Sequence, residues 1–385
     1  MKFNTRHYGY YRVNYPGDMW ATFIMILLVA PETFEPEDKA NLLNDAFSLA
    51  EAGLLSYEVP LNMSTYLRNE THLVPWETVY VKLEKMAHLL KASNIEGIHR
   101  WFDEYVISLV AGHYKKPDEE DEISKQGTYS QKLWRMRILS LACRHNYANC
   151  LLDAEYLFDQ WYRNDIGSGT EKSNETTWKF LDPDVRLHLL SYGLAQFNDM
   201  SSLWEKVLER YKAEKQAYKR DELLYALSFG KIRENEALIR FILDLLQNPE
   251  IISGQDKLKF LSYLCRNSED GANVIWSLFT FDWENLVARY GKYSAQLADY
   301  TKALVENYAT TPERLEEVKE FFKKHPIGKG TGNRARKQAI ETVENDLKWR
   351  SKYPELILKA IKKLLPTKGR LDIIDLYMIY FAQHS

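Results

Sequence analysis

The chain has 385 residues, of which 45% are apolar and 27% charged, with a formal net charge of −3. That composition is ordinary for a soluble protein of two or three domains or one extended array, and it offers no basic field for nucleic acid. Only 17 glycines and 12 prolines are present, too few turn formers for a sandwich or barrel of this length.

Taken in chain order, the first segment differs from the rest. Tyr8, Tyr10, Tyr11, Val13 and Tyr15 favour a strand over 9–15, and Pro16-Gly17 turns it. No partner strand follows, and a lone strand cannot satisfy its backbone. No apolar core of a signal peptide is present near Met1. The apolar run 20–30 is about half a membrane span and reads as a buried helix. Pro36, Glu37 and Asp38 then open a helix whose apolar positions run from Leu42 to Ala50, with Gly53 at its end.

Helical periodicity continues over 76–90 and 96–111, and the charged stretch 115–127 reads as an exposed loop. Further helices are expected at 133–142, 154–161, 185–195, 200–211, 220–227, 234–246, 256–265, 271–281 and 283–290. The stretch 165–174 reads as the most flexible loop. A glycine-rich break over 328–333 precedes a long helix from Arg334. Segments of this length with short connectors predict an all-α fold: an irregular superhelical, HEAT- or armadillo-like array of helical hairpins, with one N-terminal β-strand. The many aromatic residues read as cement between helix pairs.

A catalytic zinc needs ligands such as two histidines one helical turn apart. None of the nine histidines is spaced that way, and no nucleotide loop or nucleophile elbow is present, so no metal or cofactor site is expected. Cys143 and Cys150 fit either a small disulfide loop or two buried thiols. Asn62, Asn69 and Asn174 each begin a glycosylation sequon.

Several stretches together resemble the zinc aminopeptidases of the gluzincin class, the family of aminopeptidase N and the glutamyl and endoplasmic-reticulum aminopeptidases. They are Gly9-Tyr10-Tyr11-Arg12-Val13-Asn14-Tyr15 with Trp20, and Asp38-Lys39-Ala40 through Asn44-Asp45-Ala46-Phe47. Tyr66-Leu67, Glu70 and Pro75-Trp76 follow, then Ala142-Cys143 to Cys150 with Phe158 and Trp161, and finally Glu341-Thr342-Val343 and Trp349. The resemblance runs to about Leu365. Departures include Lys39 for the usual arginine and Pro16 for the usual acidic residue.

The resemblance implies three parts: 1–15 as the last strand of a truncated β-sandwich, 16–365 as the C-terminal helical domain, and 366–385 as a divergent tail. It implies a Cys143–Cys150 disulfide. It implies a substrate-enclosing role in an enzyme that removes N-terminal residues from peptides. The zinc ligands of the full-length family have no counterpart here, so the chain alone is expected to be inactive. Arg334, Lys337 and Gln338 share one stripe of the last long helix, opposite Ile340, Val343 and Leu347. By resemblance they would lie near the substrate, where cations favour acidic side chains or a peptide carboxylate. The bland alternative is a solvated helix face. Partners implied are a peptide substrate, the absent catalytic domain and a second copy in a homodimer, with no membrane span. The implied location is extracellular, at the cell surface or in the secretory lumen. The alternative function is a stand-alone helical scaffold for peptide or protein partners.

Overall fold

In the computed structural model the described residues are 2–117, 123, 126–165, 182–197, 200–230, 232, 235–247, 251–252, 254–268, 270–291, 294–327 and 330–365. Their helices, in order, are α1 (Gly17–Val29), α2 (Pro36–Glu51), α3 (Glu58–Ser64), α4 (Leu73–Lys91), α5 (Ile98–Val110), α6 (Tyr129–Arg144) and α7 (Ala148–Asp165). Next come α8 (Arg186–Leu194), α9 (Met200–Ala213), α10 (Ala217–Ala226), α11 (Glu236–Gln247), α12 (Gly254–Asn267) and α13 (Gly271–Phe281). The last are α14 (Trp283–Tyr290), α15 (Ala295–Tyr308), α16 (Pro312–Lys324), α17 (Thr331–Lys352) and α18 (Pro354–Leu364). The expected helical array is therefore what forms. Helices α3, α15, α16 and α18 had not been marked out, and α4 and α17 each begin three residues earlier than expected.

The chain divides into two compact units. One comprises 1–116, 120–150 and 349–385, and the other 117–119 and 151–348. In the first, α2 packs on α3 and α4, α4 on α5 and α6, and α18 on α3 and α5. In the second, α10 packs on α8 and α9, α11 on α9, and α12 on α13 and α15. No described helix is long and apolar enough to cross a membrane. Run 20–30 is the amphipathic α1, which buries Trp20, Phe23, Ile24 and Leu27 and leaves Val29 exposed.

Helix ends follow local chemistry. Pro36 sits in the first turn of α2, with Glu37 and Asp38 against the helix dipole. At the other end the Gly53 N–H donates to Ala50 and the Leu54 N–H to Leu49, with Gly53 at φ 76°. That pair of bonds satisfies the last carbonyls, and the left-handed position is where glycine costs least. Helix α6 starts with a reciprocal cap, Thr128 accepting from the Gln131 N–H and Gln131 from the Thr128 N–H.

The N-terminal strand does not form. Residues 9–15 are irregular, and among the described residues the only β pairing is an isolated bridge between Gly230 and Ser268. Side chains take the place of a neighbouring strand. Asp45 accepts from the Val13 N–H at 3.0 Å and from Arg12 at 3.2 Å. The Asn4 amide donates to the Gly9 and Tyr11 carbonyls, and Asn14 donates to the Leu54 carbonyl. Tyr15 is buried against Trp20 and Phe23, whereas Tyr8, Tyr10 and Tyr11 are exposed. The β-prone tyrosines and Val13 favour extended chain, but extended chain needs an adjacent edge to become a strand.

Candidate functional site

Helix α17 presents the expected residues. Arg334, Lys337 and Gln338 are all exposed, continuing down one stripe to Glu341, Asn345 and Lys348. The opposite side buries Ala335, Ala339 and Val343 and half-buries Ile340 and Leu347. Among the described residues Arg334 and Lys337 form no ion pair. Lys319 of α16 reaches Glu344 at 3.0 Å and Glu316 at 2.9 Å.

One cation on α17 lies on the wrong side. Arg336 shares the apolar stripe with Ile340, Val343 and Leu347, and it is only 4% exposed. Its guanidinium carbon sits 4.7 Å from the centre of the Trp283 ring and 4.1 Å from that of Phe322. Nη1 donates to the His325 carbonyl at 2.7 Å. Nε and Nη2 are buried and have no partner among the described residues. Burial alone pushes this guanidinium down to about 10, with no carboxylate offsetting it. The sequence did carry the signal: an arginine at the first position of an otherwise apolar i, i+4, i+7, i+11 stripe.

Several histidines have structural partners. His145 meets Asp103 at 2.6 Å, His325 meets Glu284 at 3.2 Å, and His113 contacts the Leu67 carbonyl at 2.7 Å. His72 caps α4, and His384 lies outside the described residues. Among the described residues no group of three or more His, Cys, Asp or Glu side chains could hold a metal ion.

Cys143 and Cys150 form a disulfide across the α6–α7 turn. Asn146, at φ 61°, gives that turn its reversal, and the Tyr147 N–H donates to the Ala142 carbonyl. Cys265 is a buried free thiol. Of the sequons, Asn69 and Thr71 are exposed. Asn62 is half-buried in α3, and Ser64 is fully buried with its hydroxyl on the Pro60 carbonyl. Asn174 and the tail 366–385 lie outside the described residues.

Several of the stretches that carried the resemblance meet in the first unit. Lys39 of one pairs with Glu70 of another at 2.7 Å, both buried. The Trp76 indole donates to the Glu70 carbonyl at 2.6 Å, and the Trp349 indole donates to Tyr57 at 2.7 Å. A small pocket beside them has Phe47, Tyr57, Met86, Leu89 and Trp349 as its floor. At its mouth Lys82 donates to Ser48 and Lys85 pairs with Glu51. Burial pushes Lys82 down.

Comparison with known proteins identifies relatives of the chain. The family model of the ERAP1-like C-terminal domain matches residues 1–345. Aminopeptidase A of Gloydius brevicauda is 30% identical over 356 residues, 92% of this chain and 34% of that protein. Human glutamyl aminopeptidase is 29% identical over 365 residues, 95% of this chain and 35% of that protein. Endoplasmic reticulum aminopeptidase 1 of Mus musculus is 28% identical over 366 residues, 95% of this chain and 37% of that protein. The chain spans about a third of the length of these relatives.

Proposed function

The chain belongs to the ERAP1-like C-terminal domain family, and from that premise we propose that it is the substrate-enclosing helical part of a zinc aminopeptidase that removes N-terminal residues from peptides. The match over residues 1–345 carries the reading. Zinc, which activates water in such enzymes, would be held by a catalytic domain outside this sequence. Residues 1–15 would complete that protein's β-sandwich, and the exposed Tyr8, Tyr10 and Tyr11 support this, since bare aromatic surface favours a docking partner. The helices of 16–365 would then close over the catalytic domain and sequester the substrate from water, with 366–385 as a divergent tail.

Arg334, Lys337 and Gln338 would line the cavity and favour an acidic side chain or a peptide carboxylate. The buried disulfide supports an oxidising compartment, the secretory lumen or cell surface, with a glycan on Asn69 as the accessible sequon. A homodimer through this domain belongs to the same reading, and a light-scattering mass of one chain would remove it.

The test is a purified chain and a chimera that places it behind the zinc-bearing remainder of a glutamyl aminopeptidase. The chain alone should hold no zinc and cleave no aminoacyl substrate. The chimera should turn over, and Arg334→Glu combined with Lys337→Glu should raise KM for N-terminal Glu about tenfold, or 1.4 kcal/mol, with kcat little changed. Zinc-dependent turnover by the chain alone would overturn the reading. A folded, inactive chimera would favour the stand-alone scaffold.

A further inference from the structure

Three arginines use, or could use, the same two nitrogens. Arg137 grips Glu77 side-on, Nε to Oε2 at 2.7 Å and Nη2 to Oε1 at 2.9 Å. Arg186 grips Glu222 in the same way, at 2.7 and 3.1 Å. Arg336 presents that same Nε/Nη2 fork, and among the described residues the fork has no partner. Its remaining nitrogen is fixed by the His325 carbonyl, and Trp283 and Phe322 hold its plane. The group is thus oriented in advance, which removes most of the entropy that a flexible arginine loses on binding.

The surroundings select the sign of the ligand. Lys323 and Lys324 end α16, which carries Phe322, and both are exposed. Glu284 of α14 is turned to His325, at 3.2 Å. We propose that Arg336 anchors a binding site for a carboxylate-bearing ligand, held side-on by Nε and Nη2 between the rings of Trp283 and Phe322. A planar carboxylate matches a fork whose two N–H bonds are parallel. The nitrogens are closed to solvent in this conformation, so a covering side chain must move to admit the ligand while Trp283 and Phe322 keep the guanidinium in place. The inference stands on this geometry and not on the aminopeptidase reading, so either can fail alone.

The test is thermal unfolding of the 385-residue chain at constant ionic strength, with chloride replaced by acetate, succinate or phosphate. Succinate at tens of millimolar should raise Tm by about 2–4 °C. Arg336→Met should abolish that shift. Arg336→Lys keeps the charge without the fork, should fold even if the methionine variant does not, and should lose most of the shift. An equal shift in wild type and in either variant overturns the site. So does a shift with phosphate and none with acetate or succinate.

Discussion

Lys39 and Arg336 are both buried cations, and their immediate surroundings treat them oppositely. In the first unit, Lys39 of α2 meets Glu70 at 2.7 Å, and Lys2 meets Asp38 at 2.6 Å with both side chains nearly covered. In the second unit, the head of α17 buries Arg336 with one carbonyl and two rings. A buried charge that is paired pins a fold. A buried charge left half-satisfied is costly, and folds retain such costs where they serve a ligand. The difference separates what holds this molecule together from what it has left to offer.

Breaking the pin should have the largest effect. Lys39→Met strands the Glu70 carboxylate under α2 and should cost about 3–5 kcal/mol. Urea unfolding measures it, and a loss below about 1 kcal/mol would show that Glu70 finds another partner or takes up a proton. His88 sharpens the same contrast from the side of acid. Burial, then the charges of Arg350, Lys91 and Arg144, push it from 6.5 down to about 4. The unfolded chain binds this proton below about pH 6.5, the folded chain only below about 4. Stability is therefore whole above that window and falls as pH drops through it, by roughly 3 kcal/mol for this group. His88→Gln should flatten the slope of stability against pH over that interval, and an unchanged slope would assign it to other groups.

The disulfide gives the smallest effect of the three, because it closes a short loop. Cys150→Ser should cost about 2–3 kcal/mol. Reduced wild-type protein should then unfold at the same urea concentration as the variant. A variant as stable as the oxidised chain would mean that the α6–α7 turn, with its αL Asn146, is already fixed by its backbone bonds.

Much of the helical array was legible because periodicity and caps are local. Pro36, Gly53 and the run from Leu42 to Ala50 predict α2 without reference to anything else in the chain. Short helices such as α3 (Glu58–Ser64) escape that reading, since seven residues make barely two turns and a proline sits among them. The strand over 9–15 is not seen for the converse reason: its formation depends on a neighbouring strand, and Asp45 supplies hydrogen bonds to the segment instead. The recognisable stretches proved to be pins, such as Lys39–Glu70 and Trp349–Tyr57, so they named a family without marking a site. Arg336 was visible as a charge in an apolar stripe. That it lacked a carboxylate depended on α14 and α16, which only the fold brings to it.

The N-terminal segment has a mechanical consequence. A strand in a sheet resists pulling along its length through many hydrogen bonds loaded at once. Residues 2–15 are instead fastened by separate clips, at Asp38, Asp45, Asn4 and the Tyr15 ring. Tension applied at the N-terminus would reach those clips one after another, so the segment would peel away in small steps while the helices behind it stay folded.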